Sequence, residues 1–161
     1  YRVVLNGTDF GTFTFEKEET MGDNPPVVTT FADLPVTPVT VAEVLVEPGV
    51  ATTTIQLDTD GDGDFDYTLE PSDEFNPILF LEALKQFVIS LDLSPKVEKV
   101  IVKAIDEVIK KIEKGKIKNV EHKIKSVLKK FSHSKGHLKK IPREDLAALI
   151  RMLEELLANL K

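Results

Sequence analysis

The chain has 161 residues, of which 42% are hydrophobic and 30% are charged, and its net charge is −6 at neutral pH. This length is enough for one domain with a sizeable core or for two small domains. Cysteine is absent, which excludes disulfides and thiolate metal sites. The longest apolar stretch, 78–91, is interrupted by Glu82, Lys85 and Gln86. It falls short of the roughly 20 apolar residues of a membrane-spanning helix, so we expect no membrane span.

Charge is distributed unevenly along the chain. Residues 1–77 contain two basic and sixteen acidic side chains, a net charge of −14, whereas residues 78–161 contain nineteen basic and eleven acidic side chains, a net charge of +8. Such asymmetry between halves favours two domains of different character. Because the residue pattern also changes near position 76, we predict domains at 1–75 and 76–161.

The acidic half has the pattern of β structure. Short segments rich in Val, Thr, Ile and Phe, several of them alternating apolar and polar residues, predict strands at 2–5, 10–16, 27–31, 39–47, 52–57 and 65–70. Glycines and prolines, Pro35 and Pro38 among them, are predicted to form the turns between the strands. Regularly spaced short strands of this kind predict a small antiparallel β-sandwich or barrel.

The basic half has the apolar spacing of amphipathic helices. Asn76 and Pro77 predict the start of a helix at about 77–91, and Ser94 and Pro95 predict a second that ends at Gly115. Two further apolar stripes predict helices over 120–131 and from near 142 to 160. These stripes favour a three- or four-helix bundle. The predicted fold class is therefore α+β as two domains.

The most informative motif is a run of carboxylates at every second position, formed by Asp58, Asp60, Asp62, Asp64 and Asp66. Close carboxylates repel each other by about 1–4 kcal/mol per pair near a protein surface, so the cluster is expected to need a cation. Oxygen ligands at this density favour the hard cation Ca²⁺ over Mg²⁺, which prefers to keep its waters. The five aspartates are our predicted metal site. The alternative is an exposed acidic turn that binds no metal specifically.

The spacing follows the first nine positions of an EF-hand loop. With Asp58 at position 1, a glycine (Gly63) occupies position 6, Asp64 contributes through its carbonyl at position 7, and Asp66 stands at position 9. Position 12, where an EF-hand uses a bidentate Glu, is Leu69. We therefore do not expect a helix-flanked EF-hand.

With strands predicted on both sides, the loop resembles the Asp-x-Asp-x-Asp-Gly-x-x-Asp calcium loops of integrin-type FG-GAP and bacterial VCBS repeats. It is also similar to loops of thrombospondin type 3 and dockerin modules. In the strand-flanked loops the ninth-position Asp supplies the last side-chain ligand, a position that Asp66 fills here. The resemblance implies a structural calcium clamp on a β-hairpin. No repeat is present, so a propeller is not implied.

The helical half resembles the FIMAH modules found near the C-termini of secreted prokaryotic hydrolases and surface proteins. The resemblance rests on a helix at 97–112, a short connector at 115–119 and an Ile-Pro turn within 140–144. The β half, with its 29–37 segment and calcium hairpin, looks like the β modules that accompany such proteins. These resemblances imply an exported context rather than an activity.

No catalytic or nucleic-acid-binding pattern is found. His133 and His137 have the spacing of helical metal ligands, but Gly136 lies between them and Lys135 repels cations, so a solvated loop is expected. No serine has a nucleophile-elbow context, and neither a glycine-rich phosphate loop nor interleaved aromatic and basic residues occur. We therefore predict that the chain is not an enzyme and binds no nucleic acid.

The sequence predicts a non-catalytic, calcium-stabilised accessory or structural module of an exported or cell-surface prokaryotic protein, for example an appendage of a secreted hydrolase. Its partners would be calcium and the other domains of its parent protein. The alternative is a self-assembling surface-layer or filament subunit that joins its acidic half to the basic half of the next copy. Abundant Lys, Glu and Ile favour a thermophilic source. The start at Tyr1 suggests a mature, processed or excised segment, and Asn6-Gly7-Thr8 matches the N-glycosylation sequon.

Overall fold

The computed structural model describes residues 1–20, 22–47, 49, 53–91, 93–132 and 141–160. The chain divides into two compact units, Tyr1–Asn76 and Pro77–Lys161. The described elements of the first unit are strands and those of the second are helices, so the predicted α+β class is confirmed. Within these ranges, no helix combines the length and the apolar character needed to cross a membrane.

Among the described residues of the first unit, six strands form two antiparallel sheets. Their bounds are β1 Arg2–Asn6, β2 Gly11–Glu19, β3 Val27–Val36, β4 Val41–Leu45, β5 Ile55–Asp58 and β6 Tyr67–Leu69. One sheet has the order β1-β4-β5-β6, and the other is the pair β2-β3. Each predicted strand occurs with shifted ends. The antiparallel pairing is as predicted, whereas closure into a sandwich or barrel stays a prediction.

The largest difference from the predicted strands is in β3, which continues past its predicted end and includes Pro35. The prediction of a turn at Pro35 is wrong, because this residue pairs with Thr12 in the ladder. A bulge precedes it, where Asp33 has a φ of 50° and its N–H donates to Thr14 Oγ1 at 3.3 Å. A proline lacks the N–H of a ladder bond and is tolerated near bulges and strand ends.

The core of the first unit lies on the alternating inner positions of both sheets. Each of the larger side chains at these positions contributes about 1.5–3 kcal/mol of hydrophobic burial. The almost fully buried residues are Phe31, Leu34, Ala42, Val44, Ile55 and Leu57. Two buried residues of the first unit carry charged side chains, Lys17 and Asp58. Lys17 Nζ donates to Thr53 Oγ1 at 2.8 Å and pairs with Glu19 at 3.0 Å, as a buried cation requires.

Four helices make up the described secondary structure of the second unit: α1 Pro77–Ser90, α2 Pro95–Glu113, α3 Ile117–Ser132 and α4 Arg143–Asn159. Each consecutive pair is in contact, and α1 also contacts α4. Apolar stripes from all four helices are buried, including Leu84, Ile105, Ile124 and Leu149. The predicted helices are therefore present, and their arrangement as a bundle stays a prediction.

The ends of α2 follow from the residues that flank it. Ser94 has extended dihedral angles (φ −60°, ψ 141°) at the start, although its side chain makes no capping hydrogen bond. At the other end Gly115 has a φ of 65°. The Gly115 N–H donates to Ile112 O at 2.8 Å and the Lys116 N–H donates to Lys111 O at 2.9 Å. This is the paired-bond helix stop that glycine favours.

Candidate metal centre

The acidic loop joins β5 to β6 in an antiparallel hairpin. Asp58 is the last residue of β5, and Leu57 pairs with Tyr67, the first residue of β6. The Asp66 N–H donates to Leu57 O at 2.8 Å and closes the loop at its base. Strands rather than helices therefore flank the loop, as the sequence predicts. The hairpin brings the first and last aspartates of the loop, Asp58 and Asp66, close together.

Asp58 is the buried member of the loop, with 3% of its surface exposed. Its carboxylate accepts two backbone hydrogen bonds, from Gly61 N–H to Oδ1 at 2.6 Å and from Gly63 N–H to Oδ2 at 3.0 Å. A buried carboxylate is stable only where such donors replace its water. The two amides therefore hold Asp58 in one orientation at the centre of the loop.

Asp66 is oriented by Thr59, which is itself completely buried. Both the N–H and the hydroxyl of Thr59 donate to Asp66 Oδ2, at 2.8 and 2.6 Å. These bonds join the first residue after β5 to the residue that precedes β6. Thr59 was not among the predicted site residues; the only signal in the sequence is a hydroxyl residue next to the first Asp.

The structure brings Asp58, Asp60 and Asp66 together. One carboxylate oxygen from each lies within 4.8 Å of the other two, a separation that a single cation between them can bridge, since calcium–oxygen distances are 2.3–2.6 Å. A carboxylate has about four acceptor positions, so the hydrogen bonds from the loop leave lone pairs for a metal. These three side chains can bind a metal ion.

Asp62 and Asp64 lie outside this group and are exposed. Asp62 N–H donates to Asp60 Oδ1 at 3.2 Å, and Asp64 N–H donates to Asp62 Oδ1 at 2.8 Å. Each bond is a local turn in which an Asp side chain accepts from the amide two residues later. The predicted ligand roles of Asp62 and of the Asp64 carbonyl stay predictions.

The carboxylates of the loop repel one another. The pKa of Asp60 is raised above its ordinary value, first by burial and then by repulsion from Asp62, Asp66 and Asp58, while the hydrogen bond from the Asp62 amide acts in the opposite direction. Among the described residues, no ion pair involves the three clustered aspartates.

The two basic side chains of the first unit form ion pairs with glutamates outside the loop. Arg2 pairs with Glu43 and Lys17 pairs with Glu19, and these are the two basic residues of the first 77 positions. The negative charge of the loop is therefore not balanced by a neighbouring side chain of its own unit.

Two glycines allow the loop to turn. Gly61 and Gly63 have φ values of 77° and 95°, in the region that L-residues rarely adopt. Gly61 also lies against Val39, because a Cβ on Gly61 would be 3.0 Å from the Val39 carbonyl oxygen. The loop thus rests on the segment between β3 and β4, a contact that the sequence pattern does not reveal.

The other metal candidates in the sequence are its three histidines. His133 and His137 lie outside the described residues. His122 is exposed on α3, and within the described ranges the aspartate group is the one arrangement of three potential ligands.

Comparisons with known proteins identify no relative. No protein-family model matches the chain, and neither the curated proteins nor the solved structures give a match. The resemblances to FG-GAP, VCBS, thrombospondin type 3, dockerin and FIMAH modules therefore stay predictions.

Proposed function

We propose that this chain is a calcium-stabilised, non-catalytic accessory or structural module of an exported or cell-surface prokaryotic protein. The observation that carries the proposal is the convergence of Asp58, Asp60 and Asp66. Backbone amides and the Thr59 hydroxyl already orient two of these carboxylates. These contacts exist only in the folded chain. A metal ion that binds only to the folded state raises the free energy of unfolding.

Calcium fits the donors better than other common cations. The ligands are carboxylates, without the thiolate or imidazole that zinc and later transition metals favour. Calcium accepts six to eight oxygens in flexible geometry, so loop carbonyls, Asp62 and waters would complete its shell. Magnesium demands a near-ideal octahedron and keeps several waters. Calcium is abundant outside cells, which supports an extracellular or cell-surface location.

A stabilising role is supported by the position of the site. The loop joins the two strands of a hairpin. Two buried residues of this hairpin, Ile55 and Leu57, belong to the core of the first unit. A cation there removes repulsion between three carboxylates and fixes the end of β5 against the start of β6. At 100 times its dissociation constant, the ion would add about 2.7 kcal/mol to the free energy of unfolding.

The first experiment is thermal unfolding in millimolar Ca²⁺ or Mg²⁺, after bound metal has been removed with EDTA. The second is calorimetric titration of the protein with each ion. We expect Ca²⁺ to raise the melting temperature and Mg²⁺ to raise it less. Asp58→Asn should abolish the calcium effect. The matched control is Asp73→Asn, which removes one exposed carboxylate from the same unit but lies outside the loop.

An unchanged melting temperature with and without chelator would reject the calcium site. Equal effects of the two ions would retain a metal site and reject calcium as its specific ligand. A response of Asp73→Asn like that of Asp58→Asn would show that net charge, rather than the loop, determines the effect.

The second candidate is a self-assembling surface subunit, favoured by the charge difference between residues 1–77 (−14) and 78–161 (+8). Opposite charges on two units support a head-to-tail contact between copies, which propagates when it does not close into a ring. Sedimentation at low and high salt tests this candidate. Salt-sensitive oligomers are expected, and a monomer at high protein concentration and low salt would reject assembly.

A further inference from the structure

The first four strands form one long antiparallel ribbon with a bend. Residues 7–10 join β1 to β2, and residues 37–40 join β3 to β4, so β1-β4 and β2-β3 are the two arms of the ribbon. At the bend the Gly7 N–H donates to Thr40 O at 2.8 Å. A Cβ on Gly7 would lie 1.9 Å from the Thr37 carbonyl oxygen, so the two connections are in close contact.

A groove of about 510 Å³ lies at this bend and is lined by both arms. Leu5 and Ala42, which pair across β1 and β4, contribute apolar surface from one arm. Phe13 and Phe15, on one face of β2, contribute it from the other. Phe15 also packs against buried Phe31, with ring centroids 6.2 Å apart. The groove therefore continues the hydrophobic core outward.

The groove is flanked by two strand edges. Among the described residues, β1 is the outer strand of its sheet and hydrogen-bonds to β4, while β2 hydrogen-bonds to β3. Phe13 and Phe15 of β2 are half-buried, and so is Leu5 of β1. Backbone groups at a strand edge are a template for an added strand, and the apolar floor offers pockets for alternate side chains of that strand.

Charge indicates which kind of strand fits. On the face of β2 opposite Phe13 and Phe15, Glu16 and Glu18 are exposed. A β2 edge from a second copy would place like charges near one another, which destabilises a cross-strand pair, whereas basic residues would pair favourably. The residues of the added strand that lie beside Phe13 and Phe15 would be apolar, since side chains alternate between the two faces of a strand.

We propose that the groove binds an extended peptide segment in which apolar and basic residues alternate, as a strand added to the edge of β2. Its apolar side chains would contact Phe13 and Phe15, and its basic side chains would pair with Glu16 and Glu18. The proposal does not depend on the metal site, because neither the groove nor the β2 edge includes the clustered aspartates.

The test is fluorescence anisotropy with a labelled peptide as long as β2 (9 residues) that alternates valine and lysine. A peptide of the same composition with its valines and lysines in separate blocks tests the alternation, and a valine–glutamate peptide tests the charge. We expect saturable binding of the alternating valine–lysine peptide and weaker binding of the other two. Saturable binding is expected both in calcium and in EDTA, which distinguishes this site from failure of the calcium proposal.

The double variant Glu16→Lys/Glu18→Lys should weaken binding of the alternating peptide by about tenfold or more, since two attractive cross-strand pairs become repulsive. Glu113→Lys/Glu154→Lys makes the same change in net charge at exposed positions of α2 and α4 and should leave the affinity within about twofold. Both variants change exposed side chains, so circular dichroism should show them folded.

Hydrogen exchange locates the bound peptide. We expect it to slow the exchange of backbone amides in β2, at Phe13 to Glu16. Equal affinity for the block peptide, absence of binding at millimolar peptide, or protection confined to other strands would overturn the proposal. Protection of the same amides that rises with protein concentration, without peptide, would overturn it in favour of a second copy as the occupant.

Discussion

Thr59 donates two hydrogen bonds to a single oxygen of Asp66, from its backbone N–H at 2.8 Å and from its hydroxyl at 2.6 Å. Thr59 is buried, and Asp66 is exposed. A residue that is not itself in the aspartate cluster thus determines where one of the three clustered carboxylates points. The role of such outer contacts in orienting metal ligands can be measured.

Replacing Thr59 with valine removes the hydroxyl and keeps the side-chain shape and the N–H. Hydrogen bonds to charged groups contribute about 1.5–3 kcal/mol, so we expect Thr59→Val to lower the free energy of unfolding by about that amount. Urea unfolding measures it. Thr68→Val, at an exposed position of β6, should change stability by about 0.5 kcal/mol or less. Equal effects of the two substitutions would contradict the role of Thr59.

Asp60→Asn should have opposite effects with and without metal. In EDTA it removes one of three converging charges, so the melting temperature should rise. In calcium it removes a ligand, so affinity should fall by about tenfold or more and the calcium-dependent stabilisation should shrink. Asp64→Asn makes the same charge change at an exposed residue outside the cluster and should retain the calcium response. A decrease in melting temperature for Asp60→Asn in EDTA would contradict the repulsion argument.

The raised pKa of Asp60 predicts the pH dependence of the metal-free protein. A carboxyl whose pKa is higher in the folded state than in the unfolded state favours folding when it is protonated. The contribution of Asp60 is therefore fully present below its ordinary pKa of about 3.9 and is lost as the pH rises through the higher folded pKa. Comparing unfolding of the metal-free wild type and Asp60→Asn across this range checks the sign, and a difference that runs the other way would contradict it.

Gly61→Ala tests the contact between the loop and Val39. A left-handed conformation costs an L-residue about 1–2 kcal/mol, and at Gly61 the new Cβ would also lie 3.0 Å from the Val39 carbonyl oxygen. Gly22 has a positive φ of 61° but open space around its Cβ position. We expect Gly61→Ala to lower the free energy of unfolding more than Gly22→Ala does. Equal decreases in the free energy of unfolding for the two variants would show that the contact between Gly61 and Val39 does not contribute to stability.

The helices were predictable because local residues determine their ends. Pro77, Pro95 and Gly115 each mark a boundary that the structure retains. The interiors of these helices repeat apolar residues at helical spacing, which depends on neighbours three or four positions away. Sequence reasoning works best for elements of this kind.

The strands and the site were predictable only in part, because they depend on contacts between distant residues. The continuation of β3 through Pro35 requires the bulge at Asp33 and a partner strand. The aspartate spacing identified the loop, but the separation of Asp58 from exposed Asp62 follows from amides at the two loop glycines. Burial and hydrogen-bond partners of this kind cannot be read from a period of two.

The contact of Gly61 with Val39 predicts that the loop between β5 and β6 opens together with the ribbon bend. Val39 lies between Thr37 and Thr40, whose side chains hydrogen-bond to each other at the start of β4. Chelation should therefore speed hydrogen exchange at Thr40 and Val41 as well as within β6, as one cooperative opening unit. A cation on one hairpin would in this way set the lifetime of a turn more than fifteen residues earlier in the chain.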